Sequence, residues 1–253
     1  MRVFSQEPKK YYKLQQPSID LSLIWKRSLE QKLVTENYSL KDFSCDVYTL
    51  KERISQSSSY KSILNGVCIP FACKRFTVDA DIGTELVESL LPKLSSSFSE
   101  QFPKSEFKAT LQSDTKLQGN VGLHPDARYE EFIEAVEQKE TAGLYFPQAL
   151  QGFDVNSQQV QMQSLPTFDG GKVCLSGGLD TCAALIGSPE ILHSEDFYMP
   201  ILIMSSYVHQ DDRMVLLVKA YGPHLEFWCL SQMLTKKVTQ VSEQWTGGLT
   251  LFN

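Results

Sequence analysis

The sequence predicts an α+β fold, in which a helix-rich N-terminal half packs on a mainly antiparallel sheet formed largely by the C-terminal half. Apolar residues recur at helical spacing through much of the first half of the chain. From about residue 158, short apolar runs separated by polar turns dominate instead, which is typical of strands. The two textures are segregated rather than alternating, and this favours α+β over a doubly wound α/β fold.

The first elements are two amphipathic helices. Residues 1–17 are polar with scattered aromatic side chains, so we expect an arm or an edge strand there. Ser18 is expected to cap a helix over about 19–34, and Ser39 is expected to cap the next one. Spacings of three and four give this second helix the cleanest apolar stripe in the chain, formed by Leu40, Phe43, Val47, Leu50 and Ile54.

A hairpin is expected next, because Asn65-Gly66 separates two apolar runs, 60–64 and 67–72. Pro70 places the second of these strands at a sheet edge or a bulge, since proline cannot donate to a ladder.

Further helices are expected after acidic caps, one after Asp81 and one over about 127–139 after Asp126. Short strands are expected between them, at 107–112 and 116–123.

The second half is expected to be mostly strands, with one short helix over 181–186. The predicted strands are 158–163, 173–175, 200–208, 214–221, 225–230, 238–241 and 249–252. Because the stripes and hairpins on both sides of residue 158 need packing partners, we expect one domain over residues 1–253.

Composition excludes several functional classes. The chain carries 24 Lys and Arg against 30 Asp and Glu, a net charge of −6, and no basic stripe, so no nucleic-acid partner is expected. No apolar run approaches the ~18 to 20 residues of a membrane helix, so no membrane association is expected. The six cysteines lie among apolar neighbours and no export signal is visible, which favours reduced thiols in a cytoplasmic protein.

One motif stands above the background, at the end of the predicted strand 173–175. It comprises Ser176, Gly177, Gly178, Leu179, Asp180 and Thr181. A strand that leads through two glycines into a helix can bring backbone N–H groups and the positive end of the helix to a phosphate.

This hexapeptide resembles the phosphate loop of the ATP pyrophosphatases, and argininosuccinate synthetases in particular carry it. The resemblance implies ATP with magnesium as cofactor, adenylation of a substrate oxygen and release of pyrophosphate. Ser176, Gly177, Gly178, Asp180 and Thr181 would then line the phosphates. The resemblance covers about a dozen residues, and that family places its loop after the first strand of a parallel domain. The alternative is a glycine turn between a buried strand and a short helix.

A second pattern, His-x-Asp-x-Arg, occurs twice. It includes His124 and Asp126 in one copy and His209 and Asp211 in the other. If both loops met, two imidazoles and two carboxylates could hold one metal ion and support a metal-dependent hydrolase. Helix capping by Asp126 and a polar hairpin turn at 209–213 account for the same residues without a metal.

No complete catalytic set is apparent, and a binding or assembly protein without cofactor is therefore the first functional hypothesis. The Leu40–Ile54 stripe and the predicted strand at 158–163 are the expected docking surfaces for a protein partner or a second copy. The nucleotide enzyme and the metal-dependent hydrolase are the alternatives.

Overall fold

The computed structural model describes residues 11–77, 80–111, 116–192, 196–221, 224–231 and 243–253, and within them the α+β class is confirmed. Helices dominate the N-terminal half, and seven of the eleven strands in these ranges follow residue 158. The strands form a four-stranded sheet, a five-stranded sheet and a two-stranded ribbon rather than one sheet. Residues 1–10 of the expected arm and the expected strand at 238–241 lie outside the described residues.

The helices are α1 (Leu21–Glu30), α2 (Leu40–Gln56), α3 (Ile82–Glu85), α4 (Leu91–Gln101), α5 (Glu130–Gln138), α6 (Val155–Ser164) and α7 (Gly178–Gly187). A single π-helical turn, Leu86–Leu90, joins α3 to α4.

The strands are β1 (Ile69–Cys73), β2 (Glu106–Leu111), β3 (Val121–Leu123), β4 (Thr141–Phe146), β5 (Lys172–Leu175), β6 (Ile201–Ile203), β7 (Tyr207–His209), β8 (Met214–Tyr221), β9 (His224–Ser231), β10 (Trp245–Thr246) and β11 (Leu249–Phe252).

The four-stranded sheet lies in the centre of the core. Its order is β1-β4-β11-β5 and all of its pairings are antiparallel. Every residue of β1, β4 and β11 is buried, because helices α1, α2 and α7 pack on this sheet. Pro70 lies in β1, at the edge of the sheet, where its missing N–H leaves no ladder bond unmade.

The five-stranded sheet has the order β10-β6-β8-β9-β2. Strands β8 and β9 form its long hairpin, and β2 and β10 lie parallel to their neighbours at the two edges. Alternate residues of the hairpin face the main core, and Leu216, Val218 and Phe227 are buried there. This period of two is the pattern that identified both strands in the sequence.

The apolar stripe of α2 is a core element. Ser39 and Asp42 form a capping box at the start of the helix, as the sequence indicated. Phe43, Val47, Leu50 and Ile54 are at most 1% exposed. The expectation that this stripe is a docking surface was therefore wrong, since the protein itself already covers it.

Three other local predictions differ from the structure. Residues Lys61–Asn65 form a 3-10 turn rather than a strand, Gly66 is extended, and β1 pairs with β4 instead of with the preceding run. Residues 158–163 belong to α6, with Gln158 and Gln159 buried, so the expected docking strand is a helix. Helix α1 also begins later than expected, at Leu21, because Asp20 rather than Ser18 caps it.

The two larger sheets meet along a short polar seam made of 176–178, 205–206 and 246–248. Gly247 and Gly248 carry the chain directly from β10 to β11, and hence from one sheet to the other. The N–H of Ser206 donates to the carbonyl of Ser176 over 3.1 Å, and the N–H of Ser176 donates to Gly248 over 3.4 Å. The hexapeptide that stood out in the sequence thus lies at the junction of the two sheets.

Candidate functional site

The glycine motif forms the strand–turn–helix unit that its sequence indicated. Strand β5 ends at Leu175, Gly177 is the N-cap of α7, and the helix begins at Gly178. The sheet around it differs from that of the family it resembles, because β5 lies at a sheet edge and its one ladder partner there, β11, is antiparallel. Every residue of the motif is buried.

The Asp180 carboxylate organises this turn. It accepts a hydrogen bond from the N–H of Gly177 at 2.8 Å and another from the hydroxyl of Tyr129 at 2.8 Å. The hydroxyl of Thr250 donates to its second oxygen. Thr250 also lies 3.2 Å from the hydroxyl oxygen of Ser176, so two motif side chains bond to the protein rather than face a ligand.

Aromatic and seryl side chains occupy the space beside both glycines. A methyl group at Gly177 would lie 2.5 Å from Ser206 Oγ and 2.5 Å from Tyr129 Cζ, and one at Gly178 would lie 2.8 Å from a ring carbon of Tyr207. Real Cβ atoms essentially never come so close to another group. The glycines therefore permit the close packing of Tyr129 and Tyr207 on the turn.

The charge state of Asp180 is unusual for an aspartate. Burial raises the pKa of its carboxyl to about 6, although the bonds donated by Thr250, Tyr129 and backbone N–H groups lower it in part. Thr181 and Ser206 add buried hydroxyls without a hydrogen-bond partner to the same region. The turn is thus a cluster of buried polar groups within the core.

The two His-x-Asp-x-Arg loops lie at opposite ends of the β3–β7 ribbon. In its ladder, Val121 pairs with His209 and Leu123 pairs with Tyr207, while the N–H of His124 bonds to Ser206. The two histidines are thus about three ladder positions, about 10 Å, apart along the ribbon. This arrangement does not bring the two loops together around one ion.

Each loop is closed on itself by the same local bond. His124 Nδ1 accepts from the N–H of Asp126 at 3.2 Å, and His209 Nδ1 accepts from the N–H of Asp211 at 3.0 Å. Arg213 forks onto the Asp211 carboxylate with bonds of 2.9 and 2.7 Å and lowers the pKa of that carboxyl to about 2. Within the described ranges, no group of three or more His, Cys, Asp and Glu side chains is arranged to hold a metal ion.

A small open depression of about 270 Å³ lies beside α3 and the π-helical turn. Its lining is Gly83, Thr84, Val87, Glu88, Lys116, Leu117 and Gln118. One acid and one base stand among aliphatic and amide groups there, and the lining contains no histidine or cysteine to serve as nucleophile or general base.

Sequence reasoning missed the contact of two aromatic segments, Tyr11–Tyr12 and Phe197–Tyr198, which are here together called the aromatic strip. Tyr11 is 63% exposed and Tyr198 is 68% exposed. The two segments run parallel and form an isolated bridge at Tyr12 and Tyr198. The sequence signal was the density of aromatic residues at 11–12 and 197–198, but nothing local indicated that the two would meet.

The strip is held in place from both sides. The N–H of Tyr198 donates to Tyr11 over 3.1 Å, and the N–H of Lys13 donates to Tyr198 over 3.0 Å. The rings of Tyr12 and Tyr198 have centroids 5.9 Å apart. The ammonium group of Lys13 lies 4.8 Å above the Phe197 ring, a cation–π contact.

Comparison with known proteins identifies no relative of this chain. No family model matches the chain, and neither a curated protein nor a solved structure matches it significantly. Within the part of the chain that the structure describes, no helix is both long and apolar enough to cross a bilayer.

Proposed function

We propose that this chain is a binding protein without catalytic activity, and that it docks a protein partner on the aromatic strip. The observation that carries the proposal is the pair of neighbouring tyrosines, Tyr11 and Tyr198, each more than three fifths exposed. Large aromatic side chains are normally buried, and neighbouring exposed ones are typical of interaction sites.

The chemistry of the strip suits a protein interface. Tyrosine is enriched among the residues that dominate binding energy, because it supplies a large apolar area and a hydroxyl at low conformational entropy. The backbone bonds that join Tyr11, Lys13 and Tyr198 fix the strip before a partner arrives. Such preorganisation reduces the entropy lost on binding.

The candidate chemical groups elsewhere support a non-catalytic role. Asp180 is buried and accepts bonds from Gly177, Tyr129 and Thr250. The two histidines of the repeated pattern each accept a local backbone bond. Burial raises the pKa of the Cys68 thiol to about 11 and that of Cys174 well above its ordinary value, so both are weak nucleophiles at neutral pH.

We place this role in the cytoplasm. All six cysteines are free thiols and five of them are buried. Unpaired cysteines in the core are typical of proteins that fold in a reducing compartment.

The experiment compares three purified proteins as baits: the unchanged chain, a Tyr11→Ala, Tyr198→Ala double variant, and a Tyr48→Ala control. Tyr48 is 64% exposed but lies on α2, outside the strip. A partner captured by the unchanged chain is then purified, and its Kd is measured for each protein. We expect the double variant to weaken binding by at least tenfold, about 1.4 kcal/mol or more. The control should bind like the unchanged chain.

Equal affinity of the double variant and the unchanged chain would refute the role of the strip. Concentration-dependent light scattering that the double variant abolishes would instead identify a second copy as the occupant. A rise in melting temperature with millimolar ATP and Mg²⁺ that Asp180→Ala removes would replace this proposal with the nucleotide enzyme.

A further inference from the structure

Asp180 joins three parts of the fold beside the polar seam. Its bond from Gly177 closes the β5–α7 turn, its bond from Tyr129 reaches the start of α5, and its bond from Thr250 reaches β11. Tyr129 and Thr250 lie 51 and 70 residues away in sequence. One carboxyl group therefore holds together segments that are distant along the chain.

In the part of the chain that the structure describes, the groups that face Asp180 are phenols and thiols, which provide no positive charge. Phenols approach it from the segment before α5, from β4 and from β7, and thiols approach it from β1, β5 and α7. These groups are Tyr129, Tyr145, Tyr207, Cys73, Cys174 and Cys182. Glu85 acts on Cys73 and Tyr207 from α3, where Arg75 is bonded to it over 2.9 Å, and Glu131 adds negative charge to Cys174 from α5.

All of the phenols and thiols stay neutral between pH 4 and 8, because burial raises the pKa of each. Asp180 is thus the member of this buried cluster that changes charge near neutrality. When Asp180 ionises, its negative charge is buried in the core, where hydrogen-bond donors contact it but no cation lies among the described groups beside it.

We propose that Asp180 is a proton-sensitive latch: the contact of the β5–α7 turn with β11 and with the start of α5 stabilises the fold most when this carboxyl is protonated, and stabilises it less when the carboxyl ionises. The geometry that supports it is a fully buried acid that joins three elements and has no cationic partner among the described groups that face it.

The direction of the effect follows from linkage. The pKa of Asp180 is about 6 in the folded protein and close to 4 in an unfolded chain, so the folded state binds this proton more tightly. Its contribution to stability is present in full below about pH 4, falls as the pH rises through about 6, and is constant above that.

Other carboxyl groups act in the opposite direction. Hydrogen bonds lower the pKa of Asp20, Asp81, Glu140 and Asp211, and these groups lose stabilising contacts in acid. The pH profile of the unchanged chain is therefore a sum of both effects. The difference between that profile and the profile of Asp180→Asn isolates the latch, because asparagine keeps the size of the side chain and removes the titration.

The test is urea unfolding of the full chain and of Asp180→Asn from about pH 4 to about pH 7.5. The unfolding equilibrium constant of the unchanged chain should rise about a hundredfold relative to that of the variant, with most of the change between about pH 4 and 6. Parallel profiles for the two proteins would overturn the proposal.

A second measurement covers the case in which Asp180→Asn does not fold. Carbon-13 labelling of aspartate in the unchanged chain lets NMR follow each carboxyl directly, and Thr250→Val assigns the signal because loss of this donor should raise its midpoint. One aspartate that titrates near pH 6 and moves upward in Thr250→Val supports the latch. Complete ionisation of every aspartate by pH 5 would overturn it.

Discussion

Replacing Gly177 by alanine tests whether the glycine motif is filled by the protein or open to a ligand. The backbone at Gly177, with φ −119° and ψ −155°, is one that alanine can adopt, so the substitution introduces no left-handed strain. The new methyl group would lie 2.5 Å from both Ser206 Oγ and Tyr129 Cζ. Both neighbours are buried, and Tyr129 is held by its bond to Asp180.

Overpacking of this kind destabilises proteins by about 1–3 kcal/mol. For a chain of this length, each kcal/mol lowers Tm by roughly 2–4 °C. Gly122→Ala is the matched control, because the atom nearest to its added methyl group is Val208 Cγ2 at 4.0 Å. We expect urea unfolding to show a clear loss for Gly177→Ala and at most a small change for Gly122→Ala.

A double variant separates steric conflict from other causes. Ser206→Ala removes the oxygen that the new methyl group meets, and that hydroxyl has no hydrogen-bond partner of its own. The double variant Gly177→Ala, Ser206→Ala should therefore recover part of the lost stability, which a double-mutant cycle measures as a coupling energy. If Gly177→Ala is as stable as Gly122→Ala, the turn has free space and the packing explanation fails.

Two further substitutions test the packing of the fold. Arg75→Met should lower the free energy of unfolding in urea by about 3–5 kcal/mol, because it leaves Glu85 and Glu137 unpaired at a site where the guanidinium is only 5% exposed. Arg75→Lys should recover part of this loss. Equal stability of the Met variant and the unchanged chain would contradict this prediction. Phe43→Ala should lower the free energy of unfolding by about 3–5 kcal/mol and Tyr48→Ala by at most about 0.5 kcal/mol, because the first ring is buried on α2 and the second is exposed there. If calorimetry ranked the two variants in the other order, the apolar stripe of α2 would not belong to the core.

The elements that could be predicted from the sequence are those whose pattern lies within one short stretch of the chain. The α2 stripe, its Ser39 cap and the alternation of β8 and β9 each lie within one stretch of sequence. The spacing of apolar residues distinguishes a helix from a strand in such stretches, because side chains repeat about every 3.6 residues in a helix and every two residues in a strand. Helix α6 was mispredicted although its signal was present, since Asp154 caps it through the N–H of Ser157. The alternation of Gln and apolar residues there imitated a strand.

The hairpin at Asn65-Gly66 failed for a nonlocal reason. Strand β1 pairs with β4, about 70 residues later in the chain, so the turn residues do not need to form a hairpin. The N–H groups that enter β1 are also satisfied at a distance, by the amide side chains of Gln148 and Gln16. A dipeptide preference for positive φ is too weak to outweigh such pairing.

The glycine motif shows the same limit at the candidate site. Its local unit, a strand that turns through two glycines into a helix, could be predicted from the sequence. Whether a phosphate or an aromatic ring occupies the space beside the glycines depends on Tyr129 and Tyr207, which the sequence places elsewhere. The burial of Asp180 depends on the same distant residues, so its raised pKa could not be predicted from the hexapeptide.

The repeated His-x-Asp-x-Arg pattern encodes a recurring turn rather than a shared site. In both copies the imidazole Nδ1 accepts from the N–H of the aspartate two residues later, over 3.2 Å in one and 3.0 Å in the other. A pattern that satisfies its own backbone can recur wherever the chain leaves a strand, whatever lies nearby. Its two occurrences flank one ribbon, yet the pairing of Val121 with His209 and of Leu123 with Tyr207 places the two histidines at its opposite ends. The spacing within a motif therefore predicts its local hydrogen bond. Whether two motifs form one site can be predicted only when the register of the strands between them is known.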